Sequence, residues 1–303
     1  MIYIKLIENN EIDIKKTIFK NLKNRLRSKF IKIKEEKIDD KTVLTINDSD
    51  KRTLEKLSKY IDKNCITRVC LSNNLLKNKE FIDFMKNKNV KICDGKWLFK
   101  FLIPKVVEYI CKCKKENLNY QEVSFLCDEI SDVLVYNIRE LSLKIKVLNI
   151  ITNNEKKFKK IEKELYEQNG TILNINNNYK KSLQKSDIIF NFDFKEEEIN
   201  KYNLPKKTCI INLSNEINID SKSFEGININ YFEIIMPRKY LKNSIYFNGF
   251  DNSILYESYI YKNTNPQNIK KEIDLDNVNI NFLYGINSKI RKSEYTKLCK
   301  IKN

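Results

Sequence analysis

The residues with the clearest potential for chemistry form one run in the middle of the chain, from Cys127 to Asp132, and three of them are carboxylates. The run follows an apolar, strand-like stretch, VSFL, and precedes a stretch whose apolar residues have helical spacing. Turns in this position bind phosphate where glycines let the backbone approach the ligand and a helix N-terminus supplies N–H groups. This turn contains no glycine, and Asp128, Glu129 and Asp132 would repel a phosphate.

Two other features could carry nucleophilic or acid–base chemistry. A helix N-terminus would activate the Cys127 thiol, but the adjacent carboxylates oppose its ionisation, so we interpret it as a plain strand-end cysteine. Asp94, Gly95 and Lys96 form the best acid–base cluster, and we favour their interpretation as a strand-to-helix turn capped by the aspartate. The sequence has no histidine, and its eight cysteines include no C-x-x-C pair. We therefore predict no metal site and assign no catalytic residue.

The composition is that of a folded protein with an unusual residue usage. Of the 303 residues, 41% are hydrophobic and 32% are charged, which suits two domains with a buried core. The chain has no alanine, only five glycines, and 50 lysines against seven arginines. This usage is typical of an AT-rich coding sequence and predicts a low-GC bacterial source of clostridial type. Lysine content is therefore weak evidence for any particular partner.

The net charge of +17 is unevenly distributed along the chain. Residues 1–118 carry +13, residues 119–236 carry −2, and residues 237–303 carry +6. Basic flanks of this kind could bind nucleic acid or an acidic partner. We favour the alternative of a solvated, lysine-rich surface, because the arginines are few and no nucleic-acid motif is present.

Nothing in the sequence resembles a signal peptide or a membrane span, so we predict no membrane association. Several cysteines lie in apolar runs, such as Cys70 and Cys209, and are interpreted as small buried hydrophobic residues. Unpaired thiols are typical of a reducing compartment. We therefore expect a cytoplasmic protein, and the sequence does not indicate its oligomeric state.

The order of the expected elements predicts an α/β protein with three segments. Residues 1–118 alternate strands and helices, beginning with a helix within residues 12–30, and form a smaller α/β domain. A dense apolar stretch from Lys96 to Leu118 predicts a buried linking helix, and Pro104 would either kink it or open its second part. Residues 119–236 form the second domain. Residues 237–303 are expected to pack back on the N-terminal domain.

The second domain has the clearer pattern. Amphipathic helices are expected between its strands, and the strongest ends at Gly170, where a C-cap glycine belongs. The first of these helices has Asp128, Ser131 or Asp132 as its candidate N-cap, and a short helix is expected over YKKSLQKS. Near-continuous apolar strands separated by helices predict a doubly wound parallel sheet. Its five expected strands are EVSFLCD, KVLNIITN, TILNIN, DIIFNFD and KTCIINLS.

The run from Val123 to Leu213 resembles the NAD(P)-binding Rossmann domain of the shikimate dehydrogenase-like and amino-acid dehydrogenase-like families. Four stretches carry the resemblance. They are VSFLCD leading into a helix, VLNIITNN followed by EKKFKKIEKEL, SLQKSDIIFNFD at the expected fourth strand, and LPKKTCIINLS at the expected fifth. Together they cover about a third of the chain.

The resemblance implies a cofactor crevice at the carboxyl ends of these strands, where the strand order reverses. The residues that it implies beside the phosphates are Cys127, Asp128, Glu129 and Ile130. Those near the adenosine ribose would be Thr152, Asn153 and Asn154. Those at the reactive end would be Asn191, Phe192 and Asp193, with Leu213 and Ser214 beyond them.

The chain departs from the family pattern at the cofactor loop. The glycine fingerprint is absent, and no acid ends the second strand to bind a ribose hydroxyl. Only Lys156 and Lys157 could serve a 2′-phosphate. As a cofactor, NADP is therefore favoured over NAD. The interpretation that no dinucleotide binds is favoured over both.

Three functional hypotheses follow. The first is a weak or unusual NAD(P)-dependent oxidoreductase. The second is a non-catalytic binding or regulatory module that kept the fold, lost the dinucleotide site and binds another small molecule or a protein. The third is a nucleic-acid binder that works through the basic flanks. The sequence assigns neither a substrate nor a pathway.

Overall fold

The computed structural model describes most of the chain. The described residues are 1–6, 33–38, 41–145, 147–214, 216–219, 224–237, 240, 247–263, 277–286 and 288–299. The helix expected within residues 12–30 lies outside them. Elements are numbered below in chain order over the described part.

The chain divides into two compact units, each formed by two stretches of sequence. The first unit combines Met1–Gly95 with Met236–Asp274, and the second combines Lys96–Ile235 with Leu275–Asn303. These units differ from the three expected segments at two places. Residues 96–118 belong with the second sheet, and residues 237–303 are shared between the units.

The first unit is built around a five-stranded mixed sheet in the order β2-β3-β1-β4-β5. Only the β2–β3 pair is antiparallel, and the other three pairs are parallel. Its elements in the described residues are β1 (Ile2–Leu6), β2 (Ile33–Ile38), β3 (Lys41–Ile46), α1 (Lys51–Lys63), β4 (Arg68–Leu71), α2 (Asn73–Leu76), α3 (Lys79–Asn87), β5 (Lys91–Cys93) and α9 (Asn252–Asn263).

The helices of the first unit cover the apolar sheet. Helix α1 begins at Asp50, whose carboxylate accepts the Thr53 N–H at 2.8 Å, and it buries Leu57 and Ile61. The core of this unit also contains Leu44 and Phe81, and both are fully buried. Helix α9 packs on β4 and β5, which explains why residues 236–274 belong to this unit.

The second unit is built around a six-stranded, fully parallel sheet. Its elements in the described residues are α4 (Lys96–Phe101), α5 (Ile103–Lys114), a 3-10 turn (Leu118–Tyr120), β6 (Glu122–Leu126), α6 (Asp132–Ser142), β7 (Val147–Ile151), α7 (Glu155–Asn169), β8 (Ile172–Asn176), β9 (Ile188–Asn191), α8 (Glu196–Ile199), β10 (Cys209–Asn212), β11 (Ile227–Ile229), β12 (Tyr231–Ile235), β13 (Asn279–Tyr284) and α10 (Lys292–Cys299). Strands β12 and β13 form a separate antiparallel pair.

The strand order of the parallel sheet is β8-β7-β6-β9-β10-β11. This is the doubly wound order in which the first three strands run outwards in one direction and the next three in the other. The expected α/β class, with a Rossmann-like domain and a second α/β unit, is therefore confirmed. All five expected strands of this domain form, and residues such as Phe125 and Phe190 are fully buried within it.

Two helix boundaries in this unit follow local chemistry that the sequence displays. Ser131 is the N-cap of α6, and its hydroxyl accepts the Leu134 N–H at 3.2 Å, so it fills the role for which Asp128 and Asp132 were also candidates. Helix α7 ends at Gly170, which has a left-handed φ of 65°, as expected of a C-cap glycine.

One expected helix forms as two, and another does not form. The stretch from Lys96 to Leu118 contains two helices separated at Leu102, and Pro104 lies in the first turn of the second, α5, where no N–H is needed. Of the two effects expected of Pro104, the start of a second part is therefore the one observed. The stretch YKKSLQKS forms turns instead of a helix. There the Asn178 carboxamide oxygen accepts the N–H groups of Lys180 and Lys181 at 3.0 and 3.1 Å, which competes with helical bonding.

Candidate functional site

The candidate site lies where the winding of the parallel sheet reverses, between β6 and β9. In open sheets of this kind, ligands bind outside the carboxyl ends of the strands at this switch point. Backbone bonds bring the two strand ends together, because the Phe192 N–H donates to the Leu126 carbonyl at 3.0 Å. The segments that follow β6 and β9 therefore lie side by side.

The Asp193 carboxylate occupies the N–H groups of the turn after β6. The Asp128 N–H donates to both Asp193 oxygens, at 3.2 and 3.1 Å, and the Glu129 N–H donates to one of them at 3.4 Å. These N–H groups precede α6 and are the donors that would face a phosphate in this fold. The chain thus places its own anion where a pyrophosphate would be expected.

The Asp128 carboxylate contacts residues at the end of β7 and not the N–H groups of its own turn. Its carboxylate accepts the Thr152 hydroxyl at 3.2 Å, the Asn153 N–H at 2.6 Å and the Asn153 side-chain amide at 2.8 Å. The Asn154 amide donates to the Asp128 backbone carbonyl at 3.1 Å. Of the three residues expected near a ribose, Thr152 and Asn153 therefore hold the Asp128 carboxylate, and Asn154 holds its backbone carbonyl.

Glu129 completes this internal pairing. Both of its oxygens lie 2.9 Å from the Lys157 ammonium group, which belongs to the first turn of α7. Both side chains are largely exposed, so the pair contributes little to stability. Ile130 is also exposed and contributes an apolar surface at the rim. Every carboxylate of the turn up to residue 129 thus has a cationic or N–H partner within the same unit.

An open cavity of about 450 Å³ lies beside this pairing, at the end of β7 and the start of α7. It is lined by Thr152, Asn153, Asn154, Glu155, Lys156, Lys157 and Asn177. Asn154, the N-cap of α7, makes no capping bond through its side chain, so the first turn of the helix faces the cavity without a side-chain cap. Lys156 has no carboxylate within ion-pair distance in the part of the chain that the structure describes.

The residues at the end of β9 have a structural role. Asn191 is buried, its amide donates to the Phe194 carbonyl at 2.9 Å, and its oxygen accepts the Phe194 N–H at 2.9 Å. This pairing forms the turn that projects Asp193. The Ser214 hydroxyl donates to the Phe192 carbonyl at 2.5 Å, and the Lys96 ammonium donates to the Ser214 carbonyl at 2.9 Å.

The electrostatics of the turn are those of crowded acids. Partial burial raises the pKa of the Asp193 carboxyl above its ordinary value, the two backbone N–H groups lower it, and Asp128 and Glu198 raise it further. Burial also raises the pKa of the Cys127 thiol well above its usual range, with added contributions from Asp193 and Asp128. Cys127 is therefore a buried thiol whose ionisation is opposed by its burial and by the neighbouring carboxylates.

The structure brings together most of the residues that the resemblance implied. Asp128, Glu129, Thr152, Asn153, Asn154 and Asp193 form one network, and Lys156 lies on the cavity next to it. Cys127 and Asn191 are buried beneath the network rather than facing it. Whether any of these residues binds a cofactor stays a prediction.

Sequence reasoning missed Asn177, which follows β8 and lines the cavity. Its side-chain amide donates to the Asn153 oxygen at 2.5 Å, and its own oxygen accepts the Tyr202 hydroxyl. The signal was present in the run Asn176–Asn178 after an expected strand, because the ends of neighbouring parallel strands lie at the same edge.

Comparison with known proteins adds only a general likeness. No protein-family model matches the chain, and no curated protein matches it. A shikimate dehydrogenase solved with NADP+ is 12% identical over 87% of this chain and 96% of its own, with a TM-score of 0.34. A phosphoglycerate oxidoreductase from Rhizobium etli is 11% identical over 99% of this chain and 95% of its own, with a TM-score of 0.34.

An L-tryptophan dehydrogenase from Nostoc punctiforme is 12% identical over 76% of this chain, with a TM-score of 0.31, and the match spans 65% of that enzyme. At these scores the fold assignment rests on the strand order of the chain itself. Among the described residues, none of the helices has both the length and the apolar character that a membrane crossing requires. The same residues contain no group of three or more cysteines and carboxylates placed to hold a metal.

Proposed function

We propose that the second unit is a non-catalytic, small-molecule binding module that no longer holds a dinucleotide through its first loop. The observation that carries this proposal is the Asp193 carboxylate on the N–H groups of Asp128 and Glu129. A dinucleotide needs those donors for its pyrophosphate and would have to displace an anion held by them. The nearby carboxylates of Asp128 and Glu198 add repulsion against a second anion.

The ligand that this module would take is a small anion, and its place is the cavity at the end of β7. Lys156 and Lys157 line one part of it, and amide groups of Asn153, Asn154 and Asn177 line another. The Thr152 hydroxyl and the Glu155 carboxylate also belong to its lining. Ammonium and amide donors suit a phosphate monoester or a carboxylate. The start of α7 adds the positive end of a helix dipole.

Thermal shift and calorimetry with two probes, inorganic phosphate and adenosine 2′-monophosphate, test this proposal. We expect stabilisation by either probe, and none by NAD, S-adenosylmethionine or ATP at the same concentration. Ligand at a hundred times its dissociation constant stabilises the folded state by about 2.7 kcal/mol, which shifts the melting temperature by several degrees.

Matched variants locate the site. The double change Lys156→Gln and Lys157→Gln should abolish the shift, whereas Lys160→Gln, on an exposed position of the same helix, should leave it unchanged. If neither probe stabilises the wild-type protein, or if all lysine variants respond alike, the proposed function is wrong.

A second candidate is an NADP-dependent oxidoreductase, and the position of the two lysines favours it. They lie beyond the end of β7, which is where the adenosine ribose of a dinucleotide lies in this fold. A 2′-phosphate there would meet two ammonium groups. Stabilisation by NADP but not by NAD, lost in the double lysine variant, would favour this candidate over the first.

A further inference from the structure

The turn between β6 and α6 has the backbone of an anion site and is filled by a side chain of the chain. Asp193 reaches it from the other half of the doubly wound sheet, two residues after the end of β9. Its two oxygens accept three N–H contacts between 3.1 and 3.4 Å, and no glycine is present. The group that occupies the turn is therefore a side chain of the protein and not a separate ligand.

The contact is replaceable. Residue 193 as a whole is exposed, although its carboxyl group is partly enclosed at the turn, so the side chain can leave the turn without disturbing the core. Its neighbours Asp128 and Glu198 are acids, and together with partial burial they raise the pKa of its carboxyl. The backbone N–H groups thus favour the ionised Asp193 carboxylate, while the two neighbouring acids disfavour it. This opposition limits the strength of the contact between Asp193 and the turn.

We propose that Asp193 determines which ligands the crevice accepts, by acting as an attached substitute for a phosphate on the turn after β6. While it is in place, the crevice excludes pyrophosphate groups at the switch point and leaves only the cavity beside α7 for an anion. This inference rests on the proposed function, because it explains why that cavity and not the turn would take the ligand. It requires no change in the fold.

Two substitutions at residue 193 test separately the charge of the side chain and its presence on the turn. Asp193→Asn keeps the size of the side chain, but it removes the charge and offers one oxygen instead of two to the N–H groups. Asp193→Gly removes the occupant altogether and leaves the Asp128 and Glu129 N–H groups free for a ligand. Affinity for pyrophosphate should therefore rise from wild type to the Asn variant and again to the Gly variant.

Isothermal titration of inorganic pyrophosphate at low ionic strength measures this order. A carboxylate that competes for charge-assisted hydrogen bonds should weaken binding by about tenfold or more. We expect Asp193→Gly to bind pyrophosphate at least about tenfold more tightly than wild type. Glu167→Gln, which removes an exposed carboxylate near the far end of α7, away from the turn, is the charge control and should stay close to wild type.

The outcomes separate this inference from the proposed function. If the Asp193 variants keep wild-type melting behaviour and bind pyrophosphate no better than Glu167→Gln does, the inference is overturned. Phosphate binding at Lys156 and Lys157 would then be decided separately, by the lysine variants described above. If Asp193→Gly gains pyrophosphate binding while no wild-type probe binds the cavity, the inference holds for the turn and the cavity proposal fails. Equal pyrophosphate binding by wild type and Asp193→Gly also overturns the inference.

Discussion

The Asp193 carboxylate accepts hydrogen bonds from the backbone of the turn after β6. The N–H groups of a strand-to-helix turn need an acceptor wherever they are not solvated. In this chain a carboxylate from the neighbouring strand supplies it, at a distance of 65 residues in sequence. The same carboxylate then carries a raised pKa, because it is partly buried and adjacent to other acids.

The pH dependence of stability tests this electrostatic description. A carboxyl whose pKa is higher in the folded than in the unfolded state stabilises the fold most below its unfolded value, here 3.8, and loses that contribution as pH rises through the raised value. As pH rises from 3.8 through the raised pKa, the free energy of unfolding of wild type should therefore fall relative to that of Asp193→Asn. Above the raised pKa, the difference in free energy of unfolding between the two proteins should be constant. Urea unfolding of both proteins at a series of pH values measures this. The opposite slope would mean that the N–H bonds outweigh burial and like charges.

The thiols provide a second prediction at this scale. All eight cysteines are free, Cys65 is exposed, Cys299 is partly exposed, and the other six are buried. Burial raises the pKa of Cys111 to about 12 and that of Cys209 to about 11. Reaction with a chromogenic disulfide reagent at pH 8 should show one fast thiol and one slower one, and all eight only after unfolding. The fast phase should disappear in Cys65→Ser, and fast labelling of more than two thiols would contradict the observed packing.

At the scale of elements, backbone conformation offers a matched pair of substitutions. Helix α5 ends at Lys115, which has a left-handed φ of 57°, and the Glu116 N–H closes the turn on the Cys111 carbonyl at 3.0 Å. Glycine adopts this conformation without the strain that a Cβ imposes. We expect Lys115→Gly to raise the free energy of unfolding by about 0.5–1 kcal/mol, as measured by urea denaturation.

Lys112→Gly is the control, because residue 112 is an exposed interior position of the same helix. There glycine should lower the free energy of unfolding by about 1 kcal/mol. If both glycine variants are destabilised equally, the left-handed conformation of Lys115 is not a source of strain.

The elements of the second unit were largely predictable, because each followed from local pattern. Its apolar strands, the Ser131 cap and the Gly170 terminus depend on residues within one turn or strand of each other. The turns after Asn178 were not predicted, and the sequence left a kink and a break at Pro104 as alternatives. They depend on how a proline and an asparagine side chain compete with helical bonding, which apolar spacing does not report.

The location of the candidate site was predictable from the sequence, but the hydrogen-bond partners of its side chains were not. The strand ends identified Asp128, Thr152 and Asp193 as neighbours, since parallel strands end at one edge. That Asp193 would accept the turn N–H groups, while Asp128 accepts from β7, depends on side-chain rotamers and on the turn formed by Asn191. Sequence spacing carries no information on those choices.

For the whole molecule, the charge of +17 is the property with a direct consequence for partners. The first unit carries +11 and the second carries +6, so neither unit is acidic overall. Lysine-rich surfaces attract polyanions non-specifically at low salt, and this attraction falls steeply as counterions compete.

We expect binding to duplex DNA or RNA at low salt and none at physiological salt. Fluorescence anisotropy with a labelled duplex, measured at about 0.05 and 0.15 M salt, tests this. Retention at the higher concentration, with a preference among sequences, would instead favour the nucleic-acid hypothesis. Wild-type protein suffices, because the prediction concerns the total charge and not one side chain.

The strand order of the parallel sheet also constrains how the second unit reaches its native state. The central pair, β6 and β9, joins segments separated by two complete strand–connection repeats, whereas β6 with β7 and β7 with β8 are sequence neighbours. Closing the longer loop costs more chain entropy, and contacts between distant segments slow folding. The edge strands on one side can therefore pair early, while the centre of the sheet, and the Asp193 contact with it, assembles in a later step.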